Sequence, residues 1–254
     1  EKKSLYLQKK GTRQKVRNAT KVHFYSNMAK IYKQAPLPFQ GHKRNWNVEL
    51  KTALKQFDDC NVFVDLFGGS GLLSRMVKNE RPDAVVFYND FDDYHMRIAN
   101  IPRTNALLAD LRVIVKECPR RKLIREPQRT AVLERIKADE ATGFVDYITL
   151  SSSLMFSMNY ATTFAGMAKN SLYNNVRHDY TADGYLDGIE IVKQDYRELF
   201  ERWKQFQNVC FLIDPPYLST DAGTYTGYWQ LRDYLDVLHT LKNTNYSYFT
   251  SNKS

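Results

Sequence analysis

The stretch "NVFVDLFGGSG", residues 61–71, decides the fold of this chain. It is an apolar run, interrupted by Asp65, that ends in closely spaced glycines. A short apolar run bounded by glycines predicts a buried strand followed by a tight loop, and residues 72–79, "LLSRMVKN", then predict a helix. Gly69 and Gly71 allow the backbone to approach a ligand closely. This loop favours a nucleoside-containing cofactor, with a plain tight turn as the alternative.

The pattern of strand and helix continues beyond this stretch. Further stretches that are typical of strands lie at residues 84–90, 188–195, 208–214 and 246–251, with helical patterns between most of them. Strands that alternate with helices imply crossover connections and a mostly parallel sheet. Residues 91–187 differ, because helical stretches alternate there with polar loops. We therefore predict a Rossmann-like α/β sheet with helices on both faces and a mainly helical insertion.

Composition restricts the classes of protein to consider. The chain has 254 residues, 43% of them apolar, which is enough for one large core or for one core and a small inserted domain. No run of about 18 apolar residues is present, and the charged N-terminal segment lacks the apolar core of a signal peptide, so we expect no membrane partner. Cys60, Cys118 and Cys210 are far apart. Their spacing argues against a disulfide framework or a zinc site and fits a reducing cytosol.

The positive charge is concentrated near the N-terminus. Residues 1–45 hold twelve Lys or Arg and one acidic residue, whereas the rest of the chain has a net charge of −2. Such a segment is either a solvated tail or a contact with a polyanion such as DNA, because clustered basic residues gain affinity from counterion release.

An acidic residue ends each of four predicted strands: Asp65, Asp90, Asp195 and Asp214. Ligands of open parallel sheets bind beyond the carboxyl ends of the strands. Four carboxylates at one edge repel one another, which indicates that a ligand or a reaction uses them. The glycine loop lacks the Lys-Ser/Thr ending of a phosphate-binding P-loop, and Ser74 stands where a dinucleotide fingerprint has its third glycine. Asp90, about twenty residues after the loop, suits ribose hydroxyls.

The segment "DPPY", Asp214 to Tyr217, is either a turn or the site of a reaction on an amine. The amino group of adenine is a poor nucleophile, because its lone pair is delocalised into the ring. The Asp214 carboxylate and the Pro215 carbonyl would free that lone pair by accepting the two N–H bonds. Pro215 and Pro216 fix φ and carry no competing N–H. Tyr217 would stack on a base taken out of its helix.

Together these motifs resemble the DNA N6-adenine methyltransferases of the type found with GATC methylation, which use S-adenosylmethionine. The order is similar: "FQGHK" at 39–43, "DLFGGSG" at 65–71, an acid after the second strand, an insertion, "QDY" at 194–196, and "DPPY". The terminal "FTSN", 249–252, resembles the family's fifth-strand motif. The resemblance covers residues 36–254.

The resemblance implies a set of site residues. It implies cofactor contacts at Phe39, Gln40, Lys43, Asp65, Phe67, Gly69, Gly71, Asp90, Asp195 and Tyr196, and contacts with the target adenine at Asp214, Pro215, Pro216 and Tyr217. Lys43 would lie near the cofactor's carboxylate and Asp90 would hold its ribose hydroxyls. Asp195 would accept from the cofactor's adenine amine, with Tyr196 beside the ring. Without the motif order, Lys43 would be taken as a surface lysine and Tyr196 as a core aromatic.

The resemblance also implies a domain organisation. Residues 36–90 and 188–254 would form the S-adenosylmethionine-binding catalytic domain, and 91–187 a DNA target-recognition insertion. The basic run "CPRRKLIREPQR", 118–129, would meet phosphates or form a solvated loop. Residues 1–35 are a basic N-terminal extension without a family counterpart. Members of the family usually continue past the fifth strand, so we expect the catalytic domain to be incomplete at its C-terminal end.

The predicted function is transfer of a methyl group from S-adenosylmethionine to N6 of a flipped-out adenine at a specific site in double-stranded DNA. We expect a bacterial or phage-type cytoplasmic protein, with or without a cognate restriction endonuclease. One alternative is a DNA-binding module that keeps the fold without turnover, against which the intact "DPPY" argues. An NAD-linked oxidoreductase would leave "DPPY" and "FQGHK" unexplained. N4-cytosine methylation usually has Ser in place of the Asp at 214 and is therefore disfavoured.

Overall fold

The computed structural model describes residues 3–8, 31–39, 46–156, 159–176, 178–215 and 230–251. The chain forms two compact units. The first comprises residues 1–35, 41–94 and 183–254, and the second comprises residues 36–40 and 95–182. The bounds of the predicted insertion, 91–187, thus differ by only a few residues from those of the longer segment of the second unit, 95–182. The second unit also includes the short segment 36–40.

The first unit is built on one six-stranded sheet. Its strands are β1 (Lys3–Gln8), β2 (Val62–Asp65), β3 (Val85–Asn89), β4 (Glu190–Val192), β5 (Val209–Ile213) and β6 (Asn245–Ser251). Their order across the sheet is β1-β6-β5-β2-β3-β4. Strands β2 to β6 are parallel, and β1 pairs antiparallel with β6. Five parallel strands flanked by helices confirm the predicted Rossmann-like α/β class.

The central strand β5 is apolar along its whole length, and β2 is apolar up to its last residue, Asp65, because both faces of the sheet are covered. All residues of both strands are buried. The helices of this unit are α1 (Asn47–Leu54), α2 (Leu72–Glu80), α8 (Tyr196–Trp203) and α9 (Leu231–Thr240). Leu199 of α8 and Val237 of α9 pack with Val64 and Phe211 of the sheet. Helix α2 packs against β2 and β3.

Strand β1 is a feature that the sequence did not predict. It pairs with β6 from Lys3 opposite Ser251 to Gln8 opposite Tyr246. Its apolar run, Leu5 to Leu7, is only three residues long and lies between lysines, which is a weak signal for a strand. Backbone N–H and C=O groups can nevertheless pair with an open sheet edge whatever the side chains are. Tyr32 is also buried in this unit. Residues 3–8 and 31–35, the described part of the predicted N-terminal extension, are thus grouped with the sheet of the first unit. The role of residues 1–35 stays a prediction.

The second unit is mainly helical. Its helices are α3 (Tyr94–Ala99, whose first residue belongs to the first unit), α4 (Ile101–Ile114), α5 (Gln128–Glu140), α6 (Tyr147–Leu154) and α7 (Phe164–Ala168). They enclose a core of buried leucine, valine, isoleucine and methionine side chains. Arg97 and Asp146 form a buried ion pair of 3.0 Å, and Asp146 caps α6 by accepting from the N–H of Thr149. Among the residues described, no helix is long and apolar enough to cross a bilayer.

Candidate active site

The four acids predicted from the sequence lie at one edge of the sheet. Asp65 is the last residue of β2, Asp90 and Asp214 directly follow β3 and β5, and Asp195 lies three residues beyond β4. The carboxyl ends of parallel strands share one edge, so the strand order brings these acids to the same side of the sheet. Their surroundings differ. Asp65 and Asp90 are fully buried, Asp214 is half-buried, and Asp195 is exposed.

The glycine loop, residues 68–71, makes a tight turn between β2 and α2. The N–H of Gly71 donates to the carbonyl of Gly68 at 2.7 Å. Gly69 and Gly71 have φ of 50° and 70°, a left-handed conformation that glycine adopts readily. Gly68 is required for space, because a Cβ there would lie 2.2 Å from a ring carbon of Tyr88. Packing against Tyr88 is thus one reason for a glycine in this loop, in addition to the ligand approach predicted from the sequence.

Asp65 is a buried carboxylate at the start of this loop. Its Oδ2 accepts a hydrogen bond from the Ser74 hydroxyl at 2.8 Å. Within the described part of the chain, its Oδ1 has no hydrogen-bond partner. Burial is the main cause that raises the pKa of Asp65 to about 7, and the nearby Asp214 carboxylate contributes to this shift, while the Ser74 hydroxyl and the backbone N–H groups of Phe67 and Ser74 oppose it. The two acids therefore lie close enough to influence each other's charge.

The raised pKa of Asp65 predicts a measurable pH dependence of stability. The folded-state pKa of about 7 lies above the ordinary value of 3.8, so the folded chain holds this proton more tightly than the unfolded chain. The protonated Asp65 therefore contributes its full stabilisation below pH 3.8, and this contribution is lost as pH rises through 7. Between pH 5 and 8 the free energy of unfolding of the wild type should fall by about 2 to 3 kcal/mol relative to that of Asp65→Asn. Urea unfolding of both proteins at pH 5, 6.5 and 8 measures this difference, and parallel curves would contradict it.

Asp90 is anchored by the backbone on both sides. Its Oδ1 accepts from the N–H of Tyr94 at 2.7 Å, and its own N–H donates to the carbonyl of Val192 in β4 at 2.8 Å. Burial raises the pKa of Tyr88, and the neighbouring Asp90 carboxylate adds to this shift. Asp90 therefore lies close to the side chain that packs against the glycine loop.

Asn89 is a residue of this edge that the sequence analysis missed. Its Nδ2 donates to the carbonyls of Leu66 and Gln194, both at 3.0 Å, and its Oδ1 accepts from the N–H of Gln194 at 3.0 Å. The side chain is 2% exposed. It connects the ends of β2, β3 and β4 and so fixes the segment that carries Asp195. A polar residue inside a buried strand pattern was the signal in the sequence.

Asp195 and Tyr196 begin helix α8. Oδ1 of Asp195 accepts from the N–H of Arg197 at 2.8 Å and caps the helix. The ring of Tyr196 lies 5.0 Å from that of Phe67, between centroids, and the Arg197 guanidinium carbon lies 4.5 Å from the Tyr196 centroid. Asp236 of α9 accepts from the Tyr196 hydroxyl at 2.9 Å and from Nε of Arg197 at 2.8 Å. The structure thus brings Phe67, Asp195 and Tyr196 together and adds Arg197 and Asp236, which the sequence analysis did not single out.

Asp214 stands directly after β5, next to β2 in the sheet. Its carboxylate is close enough to raise the pKa of Tyr248 on β6, after the larger effects of burial and Tyr234. Pro215 is buried. The predicted site residues Gln40, Lys43, Pro216 and Tyr217 lie outside the described residues, and Phe39 is part of the second unit.

Comparison with known proteins identifies the family. A family described as "D12 class N6 adenine-specific DNA methyltransferase" matches residues 39–251. The chain belongs to this family. A protein of Haemophilus influenzae, named as a candidate methyltransferase, is 35% identical over 238 residues, which cover 89% of this chain and 78% of the relative. These matches confirm the resemblance on which the sequence analysis relied. They support an enzyme of the methyltransferase class with DNA as its substrate.

Proposed function

We propose that this chain transfers a methyl group from S-adenosylmethionine to N6 of an adenine taken out of double-stranded DNA. One observation carries the proposal: Asp214, which is half-buried, directly follows β5, and β5 lies beside β2, the strand after which the glycine loop starts. A carboxylate that acts on an amine thus lies next to a loop suited to a nucleoside cofactor. Membership of the adenine-specific family supports this assignment.

The residues at the carboxyl ends of the parallel strands fit S-adenosylmethionine. When bound, this cofactor supplies an electrophilic methyl group. Its amine and hydroxyl groups need acceptors, and Asp65, Asp90 and Asp195 offer carboxylates at the end of the sheet. Oδ1 of Asp65 is buried, and among the described residues no donor satisfies it, a feature that a ligand donor would explain. Phe67 and Tyr196 add an aromatic pair for the cofactor's rings.

Asp214 would act on the adenine amine. Its carboxylate accepts one N–H, and the carbonyl of Pro215 accepts the other, which draws the nitrogen toward tetrahedral geometry and localises its lone pair. The pyrrolidine ring of Pro215 carries no N–H that would compete for the carboxylate. These contacts strengthen as positive charge develops on the nitrogen, so they lower the barrier more than they improve binding.

The second unit would contact the DNA and choose the sequence. Most of its arginines are paired with acids: Arg97 with Asp146, Arg103 with Asp139, Arg112 with Asp179, Arg129 with Glu126, and Arg135 with Asp110. Arg121, Lys122 and Arg125 are exposed and make no ion pair with any described residue. We call these three residues the basic patch. Unpaired cations on a surface gain most from contact with phosphates.

Replacing all three residues of the basic patch by glutamine should weaken DNA binding at every sequence. The slope of log K against log salt should become shallower by about 2 to 3 units, because each lost phosphate contact removes about 0.9. A filter-binding or anisotropy titration from low to high salt measures the slope.

The matched control replaces Arg112 and Arg135 of the same unit by glutamine. These arginines form ion pairs with Asp179 and Asp110, respectively. This variant should keep the wild-type slope. A basic-patch variant whose slope equals that of the wild type would show that DNA binds elsewhere.

The alternative function is a DNA-binding module of the same fold that lacks turnover. An assay of methyl transfer distinguishes the proposed methyltransferase from this alternative. The protein is incubated with S-adenosylmethionine labelled in the methyl group and with unmethylated duplex DNA, and label in the DNA is counted. We expect label to accumulate over many turnovers and excess NAD to leave it unchanged. DNA binding without any transfer of label would favour the alternative.

A further inference from the structure

Two buried tyrosine hydroxyls hold consecutive carbonyls of the glycine loop. Tyr88 donates to the carbonyl of Gly69 at 2.7 Å, and Tyr185 donates to the carbonyl of Ser70 at 2.9 Å. Both rings are fully buried. Burial raises the pKa of each hydroxyl well above its ordinary value, so both remain protonated donors. The sequence analysis assigned no role to either residue.

Tyr185 is itself held in place by a second group of contacts. Nη1 of Arg75 donates to the carbonyls of Gly184, Tyr185 and Asp187 at 3.1, 3.3 and 3.1 Å. Arg75 lies on α2, the helix that the glycine loop begins, and is 5% exposed. The ring of Tyr32 packs edge-on against that of Tyr185, with centroids 4.9 Å apart. These contacts fix the ring, so the hydroxyl reaches Ser70 from a rigid support.

The held carbonyls determine where the loop's N–H groups point. In a trans peptide the C=O and the N–H lie on opposite sides, so a Gly69 carbonyl fixed on Tyr88 turns the N–H of Ser70 away from that ring. The N–H of Gly71 is used within the turn by the carbonyl of Gly68. The N–H of Ser70 makes no hydrogen bond within the part of the chain that the structure describes. The loop therefore keeps one backbone donor in a fixed direction.

We propose that Tyr185 is a positioning residue for the cofactor: its hydroxyl, by holding the Ser70 carbonyl, orders the glycine loop in the conformation that binds S-adenosylmethionine. The inference rests on the function proposed above. A loop that is already ordered loses no conformational freedom when the cofactor binds, whereas a loop released from Tyr185 must be ordered at the expense of affinity. Loss of the Tyr185 hydroxyl should therefore lower the affinity for the cofactor and leave the rate of the reaction on the adenine amine unchanged.

The test is Tyr185→Phe, which removes the hydroxyl and keeps the ring. The dissociation constant of S-adenosylmethionine, measured by calorimetry without DNA, should rise about tenfold, which corresponds to about 1.4 kcal/mol. KM for the cofactor should rise in parallel, while kcat at saturating cofactor and KM for DNA should stay within about twofold. Tyr147→Phe is the matched control, because the hydroxyl of this buried tyrosine donates to Oε1 of Glu140 at 2.6 Å and not to the loop or to the contacts that support Tyr185. It should bind the cofactor like the wild type.

Three results would overturn the inference. The first is an unchanged dissociation constant in Tyr185→Phe. The second is an equal loss in Tyr147→Phe, which would indicate a general effect of losing a buried tyrosine hydroxyl. Melting temperatures of both variants accompany the binding data. The third is a fall in kcat with unchanged cofactor affinity, which would place the hydroxyl in the chemical step. A wild type that binds no S-adenosylmethionine would instead refute the proposed cofactor, so the two failures are distinguishable.

Discussion

Methyl transfer should fall by about a thousandfold or more when Asp214 is replaced by alanine, because in the proposed mechanism the carboxylate acts mainly in the transition state. S-adenosylmethionine should still bind, since Asp90, Asp195 and the glycine loop are unchanged. The half-buried position of Asp214 limits the cost in stability to about 1 kcal/mol. Loss of its charge should also lower the pKa of Asp65, which the Asp214 carboxylate now helps to raise. Single-turnover methyl transfer, cofactor calorimetry and thermal melting on one preparation measure these effects.

Asp58→Ala is the control for Asp214. Asp58 is an exposed acid of the same unit that pairs with Arg81, and its loss should leave methyl transfer unchanged. If Asp214 were only a turn residue, both variants would turn over at the wild-type rate. A stable, cofactor-binding Asp214→Ala protein with that rate would exclude the mechanism proposed for the adenine amine.

Gly68→Ala should destabilise the fold more than any other small change in the loop. Its Cβ would lie 2.2 and 2.3 Å from two ring carbons of Tyr88 and 2.8 Å from the Asn89 carbonyl oxygen. The Tyr88 ring is buried and cannot swing away, so the backbone must move. We expect a cost of about 3 kcal/mol and a melting temperature lower by about 10 °C. Cofactor affinity should fall as well, because the displaced backbone belongs to the glycine loop, to which we assign cofactor binding.

The double variant Gly68→Ala with Tyr88→Leu tests the cause. Removing the ring removes its two close contacts, so alanine at 68 should cost clearly less in this background than in the wild type, and the two effects should not add. Additive costs would show that the Tyr88 ring is not what requires a glycine. Gly69→Val is a weaker probe of ligand contact, because φ of 50° at Gly69 strains a β-branched residue whether or not a ligand is present.

The central parallel strands β2, β3 and β5 were predictable because each is a short, mainly apolar run between turn signals. β2 and β5 are buried on both faces and contain no polar residue before their last position, so their pattern is unambiguous. Strand β1 could not be predicted in this way. It lies at the edge, its segment is rich in lysine, and its strand pairing depends on backbone groups that the side-chain pattern does not report.

The position of the acids was predictable from topology alone, since every parallel strand ends at the same edge. The contacts that hold the glycine loop were not. Tyr88 and Tyr185 are 97 residues apart in the chain. Only folding brings their hydroxyls to the neighbouring carbonyls of Gly69 and Ser70. The same holds for Tyr196 and Asp236, which meet across α8 and α9. Long-range hydrogen bonds leave no periodic signal in a sequence.

Identification of the methylated base tests the central claim most directly. The protein is incubated with unmethylated DNA and S-adenosylmethionine that carries a deuterated methyl group, and the DNA is digested to nucleosides for mass spectrometry. We predict that the deuterated methyl group appears on N6 of deoxyadenosine, and that Asp214→Ala abolishes this product. A deuterated methyl group on N4 of deoxycytidine would contradict the account. So would DNA that carries no deuterated methyl group although the protein binds both the DNA and the cofactor.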